Sequence, residues 1–150
     1  MIEVRTASVT DVASIVRLGK ELRDSSAYAN KSFSDEKATA AVTTLVTSDT
    51  DIALVAEEAG IIMGFLLGGL TYEWFSDDLF AFDYSVYVVP RKRNGRVAIK
   101  LFKAFEQWAL QKGAVAIQLS ISTNINVEKN SCFYQWLGYE VTGKMFEKRL

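Results

Sequence analysis

The sequence contains no histidine. That absence removes the side chain whose ordinary pKa lies nearest neutrality and the commonest ligand of transition metals. Cysteine and proline occur once each, as Cys132 and Pro90. Zinc sites, Ser-His-Asp triads and Cys-His pairs therefore cannot be assembled, and neither can an intrachain disulfide. No metal is expected, and any chemistry must come from carboxylates, tyrosines, lysines or backbone groups. Neither sign of charge is in excess, since 17 Lys and Arg stand against 18 Asp and Glu for a net charge of -1. A broad nucleic-acid-binding face would need a strongly basic balance, so no nucleic-acid partner is expected. Long apolar runs are missing too: the longest, AGIIMGFLLGGL (59–70), carries four glycines and falls well short of the roughly 20 residues that span a bilayer. It reads as buried strand, and no membrane partner is expected. The opening MIEVRTAS lacks the cationic start and apolar core of a secretory signal, which points to the cytoplasm.

What is present is a chain of 150 residues, 49% hydrophobic, at the commonest size for one domain. A single domain over residues 1–150 is expected. IEVRTA reads as a first strand, with Thr10 as N-cap and Asp11 in the first turn of a helix whose Val12, Ile15, Val16 and Leu22 recur at helical spacing. After the polar loop DSSAYANKSF (24–33), Ser34 followed by Asp35 and Glu36 opens a second helix carrying Ala38, Ala41, Val42, Leu45 and Val46 at the same period. Strands follow at 52–56, at 61–70 and from about 79 to 89, and TYEWFSDD (71–78) forms the tip between the last two. A helix from about Arg96 places Ala98, Leu101, Phe102, Phe105, Trp108 and Ala109 on one face, with Lys100, Lys103, Gln107 and Gln111 opposite. Gly113 stands where a C-cap glycine belongs. VAIQLSI (115–121) alternates as a half-buried strand, a short helix spans about 126–137, and YEVTGKMFEKRL (139–150) closes the chain as strand. The order β-α-α-β-β-β-α-β-α-β predicts an α/β domain whose central unit is a crossover between parallel strands.

That crossover carries VVPRKRNGRVA (88–98). Pro90 lacks an amide and ends the strand, and Gly95 permits the tight backbone that precedes the helix. The amides of a first helical turn have no partners and point outward at the positive end of the helix dipole, which suits an anion, phosphate above all. Arg91, Lys92, Arg93 and Arg96 add formal charge there. A solvated charged turn is the plainer alternative for such a run. Neither G-x-x-x-x-G-K-[ST] nor a G-x-G-x-x-G after a strand occurs.

VVPRKRNGRVAIKLFKAFEQWA (88–109) resembles the acetyl-CoA-binding motif of the GCN5-related N-acetyltransferase (GNAT) superfamily, in which V-x-P is followed by R/Q-x-x-G-x-G/A and a helix. NVEKNSCFYQWLGYE (126–140) resembles that superfamily's late helix ending in a tyrosine, then LGY or LGF. The element order is similar over nearly the whole chain. Aligning Arg93 with the motif's arginine and Ala98 with its last small residue puts Arg96 where glycine is usual, a pattern similar to that of short acetyltransferase-like proteins of bacteria and phages. The compartment implied is then the bacterial cytoplasm, or the host cytoplasm for a phage protein.

The resemblance implies a single-domain GNAT-like fold with a mixed, mainly antiparallel central sheet flanked by helices. It implies acetyl-CoA as cosubstrate, with its pantetheine arm near Val88 and Val89 and its pyrophosphate at the amides of Asn94, Gly95, Arg96, Val97 and Ala98, helped by Arg93. Asn126 flanks the late helix, where it could cap or meet the cofactor. Asn130 has the same two readings, and Lys129 either approaches the adenosine phosphate or faces solvent. Tyr134 matches the tyrosine that would protonate a departing thiolate, against the alternative of ordinary packing. Asp83 lies in the apolar and aromatic run LFAFDYSVYVV, where desolvation raises a carboxyl pKa. It is a candidate base or else a structural acceptor for a neighbouring loop, with Glu73 and water as other bases. Tyr28, Phe33, Tyr72, Glu73, Trp74 and Phe75 are expected to frame an amine acceptor, or to form a homodimer contact. Cys132 is expected to be packed. The function implied is acetyl transfer to a primary amine of a small molecule, a protein lysine or an N-terminus. The alternative is a CoA-holding module that docks on a partner protein through the 71–78 tip.

Overall fold

A computed structural model describes all 150 residues. In chain order the elements are β1 (Glu3–Thr6), α1 (Val12–Asp24), α2 (Asp35–Thr47), β2 (Asp51–Glu58), β3 (Ile61–Tyr72), β4 (Leu79–Val88), α3 (Arg96–Gln111), β5 (Ala116–Gln118) and α4 (Val127–Trp136), with short 3₁₀ turns before α1, α2 and α3. The sheet runs β1-β2-β3-β4-β5. Its first three pairings are antiparallel and β4–β5 is parallel, so α3 is the crossover. The mixed, mainly antiparallel sheet flanked by helices is thus present.

Ser34 caps α2 as expected, its hydroxyl accepting from Lys37 N at 3.1 Å. The start of α1 differs from expectation. Thr10 lies inside the 3₁₀ turn Val9–Asp11, and Asp11 does the anchoring by accepting from Ser8 N at 2.7 Å and from Arg5 Nη1 at 2.7 Å. A charged carboxylate within reach of a free amide and a guanidinium outcompetes a neutral hydroxyl. That pairing holds the buried Asp11 carboxyl down to about 2.

Two apolar layers cover the sheet. One joins α1 and α2 to Val55, Phe65, Leu67 and Tyr87; the other joins α3 to Leu54, Leu66, Ala81 and Val88. The predicted face of α3 is the buried one: Leu101, Phe102, Phe105 and Ala109 are inside, and Lys100, Lys103, Gln107 and Gln111 are exposed. Gly68 lets this helix approach, because a Cβ there would meet Phe105 Cε2 at 2.5 Å and Phe82 O at 2.9 Å.

Two irregularities in β4 position the site. Its register against β3 passes from Leu67↔Ser85 to Gly68↔Asp83, leaving Tyr84 as an extra, bulged residue. Its ladder with β5 covers only Phe80, Ala81 and Phe82. Beyond Phe82 the two strands part, and the β4 edge from Asp83 to Val88 has no strand beside it.

The C-terminal third departs from the sequence reading in three ways. The strand expected over 115–121 is reduced to three residues. Residues 139–150 form no strand: beyond Tyr139 N no backbone hydrogen bond involves them, and Val141, Met145 and Phe146 are exposed. Alternation alone does not make a strand, since the stability lies in cross-strand pairs, and β5 offers a very short edge. Cys132, expected to be packed, is exposed on α4, because that helix turns Phe133 and Tyr134 inward.

Candidate active site

Where β4 and β5 separate, a cleft of about 240 Å³ opens, lined by Val86, Tyr87 and Val88 on one side, Asn126, Asn130 and Tyr134 on the other, and Arg93, Gly95 and Ala98 at one end. Gly95 caps α3 at φ +87°, a left-handed conformation that favours glycine. The turn thus formed leaves the amides of Asn94, Gly95, Val97 and Ala98 without hydrogen-bond partners in the chain. The Arg96 amide differs, being held by Asn94 Oδ1 at 3.2 Å. Unpaired amides at a helix start attract an anion.

The four basic side chains divide. Lys92 pairs with Glu58 at 2.5 Å and Arg91 Nη2 lies 3.1 Å from Met63 Sδ, so both turn back toward the sheet. Arg96 is exposed and makes no side-chain hydrogen bond or ion pair. Arg93 folds over the Tyr87 ring, 5.2 Å from its centroid, and donates from Nε to Val88 O at 2.7 Å. Val89 has both backbone groups engaged, its N–H with Met63 O and its carbonyl with Lys92 N, each at 2.9 Å, and its side chain packs under α1 and α2. Val88 therefore borders the cleft and Val89 does not.

At the other end stands Tyr134, with Asp83 near it but not among the residues that line the cleft. Tyr134 is held edge-on to Phe102 at 5.4 Å between ring centroids, and its hydroxyl makes no hydrogen bond within the chain. Burial, with the nearby Asp83 charge, raises its pKa well above the ordinary tyrosine value, so the phenol keeps its proton at neutral pH. Burial also lifts Asp83 to about 6. Asp83 Oδ1 accepts from Ser120 N at 3.1 Å, bridging the strands just past their last ladder pair. The bond to Ser120 matches the structural-acceptor reading of Asp83, and the raised pKa matches its apolar surroundings.

Asn126 sits at the α4 N-cap with φ +43° and makes no capping bond through its side chain. Asn130 Nδ2 donates to Ile125 O at 2.9 Å and fixes that turn. Lys129 also lines the cleft. Sequence reasoning missed Thr123 and Ile125, which line it from an irregular segment without a pattern, and the Tyr139 hydroxyl, which donates to Glu106 Oε1 at 2.9 Å and ties the end of α4 to α3.

The expected acceptor residues separate into two groups. Tyr28 and Phe33 line a second cavity, of about 580 Å³, between α1, α2 and the sheet. Tyr72, Glu73, Trp74 and Phe75 stand exposed at the β3–β4 tip and line neither cavity.

Comparison with known proteins agrees with this architecture. No curated protein matches the sequence. Among solved structures, the aminoglycoside N-acetyltransferase AAC(6')-Iy, solved with a CoA-containing bisubstrate analog, superposes with a TM-score of 0.80 at 21% identity, over 100% of this chain and 98% of that one. Glucosamine-6-phosphate N-acetyltransferase from Arabidopsis thaliana gives 0.77 at 17% identity over 99% and 98%. A transcriptional regulator from Bacillus halodurans C-125 gives 0.83 at 17% identity over the whole of both chains. These likenesses establish the fold. The family model for the acetyltransferase (GNAT) family matches residues 20–139, most of the chain and both ends of the cleft. The chain belongs to the GNAT acetyltransferase family, acyl-CoA-dependent enzymes that acylate an amine nitrogen.

Proposed function

We propose that the protein transfers an acetyl group from acetyl-CoA to a primary amine by direct attack, with Asp83 taking a proton from the amine and Tyr134 giving one to the departing thiolate. The observation that carries this reading is the cleft itself: unpaired amides and the Arg93 guanidinium at one end, and at the other a free phenol whose pKa the nearby Asp83 charge helps to raise. The amides of Asn94, Gly95, Val97 and Ala98, with Arg93 and Arg96, fit a pyrophosphate. The unpaired β4 edge up to Val88 fits an extended amide-bearing arm.

At neutral pH an Asp83 carboxyl with a pKa near 6 is mostly ionised and can accept a proton from a substrate ammonium. The amine nitrogen then bonds to the thioester carbonyl carbon and sheds its second proton to solvent, the carbon–sulfur bond breaks, and the thiolate takes the Tyr134 proton, which solvent restores. A positioned acid of this kind is worth about 10² to 10⁴ in rate. The proposal covers small-molecule amines and protein amines alike, in the cytoplasm, with self-association through exposed aromatics as a further element.

Calorimetry with acetyl-CoA and a thiol-release assay over an amine panel test it. Micromolar binding that Arg93→Ala with Arg96→Ala weakens is expected, together with acetylation of at least one amine. Unchanged affinity and salt dependence in the double variant would remove the phosphate assignment. A second reading, a CoA-holding module that docks on another protein, is favoured by one observation: Trp74 is 94% exposed and meets only the Phe75 ring, edge-on, at 5.4 Å. Binding of acetyl-CoA without acetylation of any amine, peptide or protein would favour it.

A further inference from the structure

The cavity of about 580 Å³ beneath α1 and α2 has a composition that speaks to the acceptor. Its walls are hydrocarbon: Ile15 and Leu22 from α1, Val42 and Leu45 from α2, Phe65 and Leu67 from β3. Twelve of its 17 lining residues are hydrophobic, so most of any occupant's surface would meet no hydrogen-bond partner. Ala41 and Thr44 line it and are exposed, so it opens to solvent.

The cavity adjoins the catalytic cleft at the middle of β4. Tyr84 and Ser85 line the larger cavity, Val86 to Val88 line the cleft, and Leu22 borders both. The bulge at Tyr84 makes this possible, since the extra residue resets which side chains face each layer. A molecule seated under α1 thus has one end at Ser85, next to the cleft.

Gly19 is an independent indication. It stands mid-helix in α1 and lines the cavity, its φ is not positive, and a Cβ there would meet nothing within 4 Å. Neither backbone nor packing requires glycine, which helix interiors disfavour. Its missing side chain leaves the cavity open.

We propose, resting on the acyl-transfer reading, that the acceptor is a primary amine carried on an apolar chain or ring, whose hydrocarbon body lodges in this cavity while its nitrogen reaches the cleft at Ser85. Polyhydroxylated or polycationic amines suit it poorly, because each buried hydroxyl or ammonium needs a partner. One carboxylate, Asp51, borders the space, and its Oδ1 already accepts from Tyr84 Oη at 3.4 Å. Arg23, also on the wall, is a cation.

The experiment measures kcat/KM for n-alkylamines of increasing length, phenethylamine, glucosamine 6-phosphate, neamine and a lysine peptide. Alongside, CoA-loaded protein is melted with and without each amine. In the alkyl series kcat/KM is expected to rise about fourfold per methylene, the ratio for burying one CH₂, until the cavity is filled. Hexylamine or phenethylamine should raise Tm where glucosamine 6-phosphate and neamine do not. Gly19→Leu should raise KM for hexylamine about tenfold for a filled site and abolish the amine-induced Tm shift, leaving acetyl-CoA affinity unchanged. Gly19→Ala, a smaller change that favours the helix, should shift KM in the same direction and rules out a folding artefact. A flat alkyl series, preference for the sugar, neamine or peptide, or a Gly19→Leu enzyme with unaltered amine KM overturns the proposal. Amine-induced Tm shifts with no acetylation would instead overturn the acyl-transfer reading and leave the cavity assignment standing. No Tm shift with any apolar amine overturns the cavity assignment.

Discussion

Burial lifts the Asp83 carboxyl from the ordinary 3.8 to about 6, so the native protein holds a proton there more tightly than the unfolded chain does. Stability associated with the neutral form is fully present below about pH 4 and is lost as pH rises through about 6. Two pKa units at about 1.4 kcal/mol each bound that loss at about 3 kcal/mol. Asp83→Asn removes the charge while keeping an oxygen for Ser120 N. The variant should be more stable than the parent at pH 8 by up to that amount and equal to it at pH 3.5, as urea titrations at the two pH values would show; a variant less stable at pH 8 contradicts the desolvation account. Its acetylation rate should fall, and the parent's rise in kcat/KM through about pH 6 should vanish. Tyr134→Phe deletes only a hydroxyl from a ring packed on Phe102. A fall in kcat of about 10² to 10⁴ with little change in acetyl-CoA affinity is the expected pattern for a proton donor. Equal kcat at saturation, with chemistry rate-limiting, would remove Tyr134 from the mechanism.

Among the elements, α1, α2 and α3 are legible in the sequence because each declares a 3.6-residue apolar period. The turn between β4 and α3 is legible because Pro90 ends the strand and Gly95 takes the left-handed conformation that opens the helix. Asp83 is legible as a carboxyl in an apolar run, but its bond to Ser120 depends on a residue 37 positions away. The bulge at Tyr84 has no local signature, being a mismatch between two strands. The same reason hides the closing segment: YEVTGKMFEKRL has strand alternation, yet a ladder needs a neighbour. At this scale the contact of α3 with the sheet is tightest at Gly68. Gly68→Ala would press a methyl against Phe105 and the Phe82 carbonyl, and overpacking of this kind costs about 1–3 kcal/mol. Thermal melts should show a clear loss, in contrast to Gly19→Ala. Leu101→Asp or Phe105→Asp, each at a fully buried position, should abolish folding, since an unpaired buried carboxylate costs several kcal/mol. Soluble folded protein from either would show that this helix face is not the core.

Across the whole molecule, fold class and family could be read from element order and two motifs, whereas the two cavities could not, since each is a space between elements distant in sequence. The split of the residues expected to frame the acceptor follows from this: Tyr28 and Trp74 share an aromatic character in sequence but stand at different places in space. The three-pair ladder between β4 and β5 has a consequence for dynamics. Strands β2 to β4 are knit by long antiparallel ladders, with β1 added by four pairs, whereas everything after α3 is joined to the rest by three backbone pairs, the Val115–Leu79, Ala27–Thr123, Asp83–Ser120 and Tyr139–Glu106 hydrogen bonds, the Lys31–Glu147 ion pair and side-chain packing. Amide hydrogen exchange should therefore divide the chain into two units, with 116–137 opening at lower free energy than β2 and β3. A ligand held between Val88 on one wall and Asn126 and Tyr134 on the other would clamp the weaker unit to the stronger. Saturating CoA should slow exchange across 116–137 far more than in β2, by roughly a hundredfold at a hundred times its dissociation constant, and protection spread evenly over both units would mean that the domain opens only as a whole.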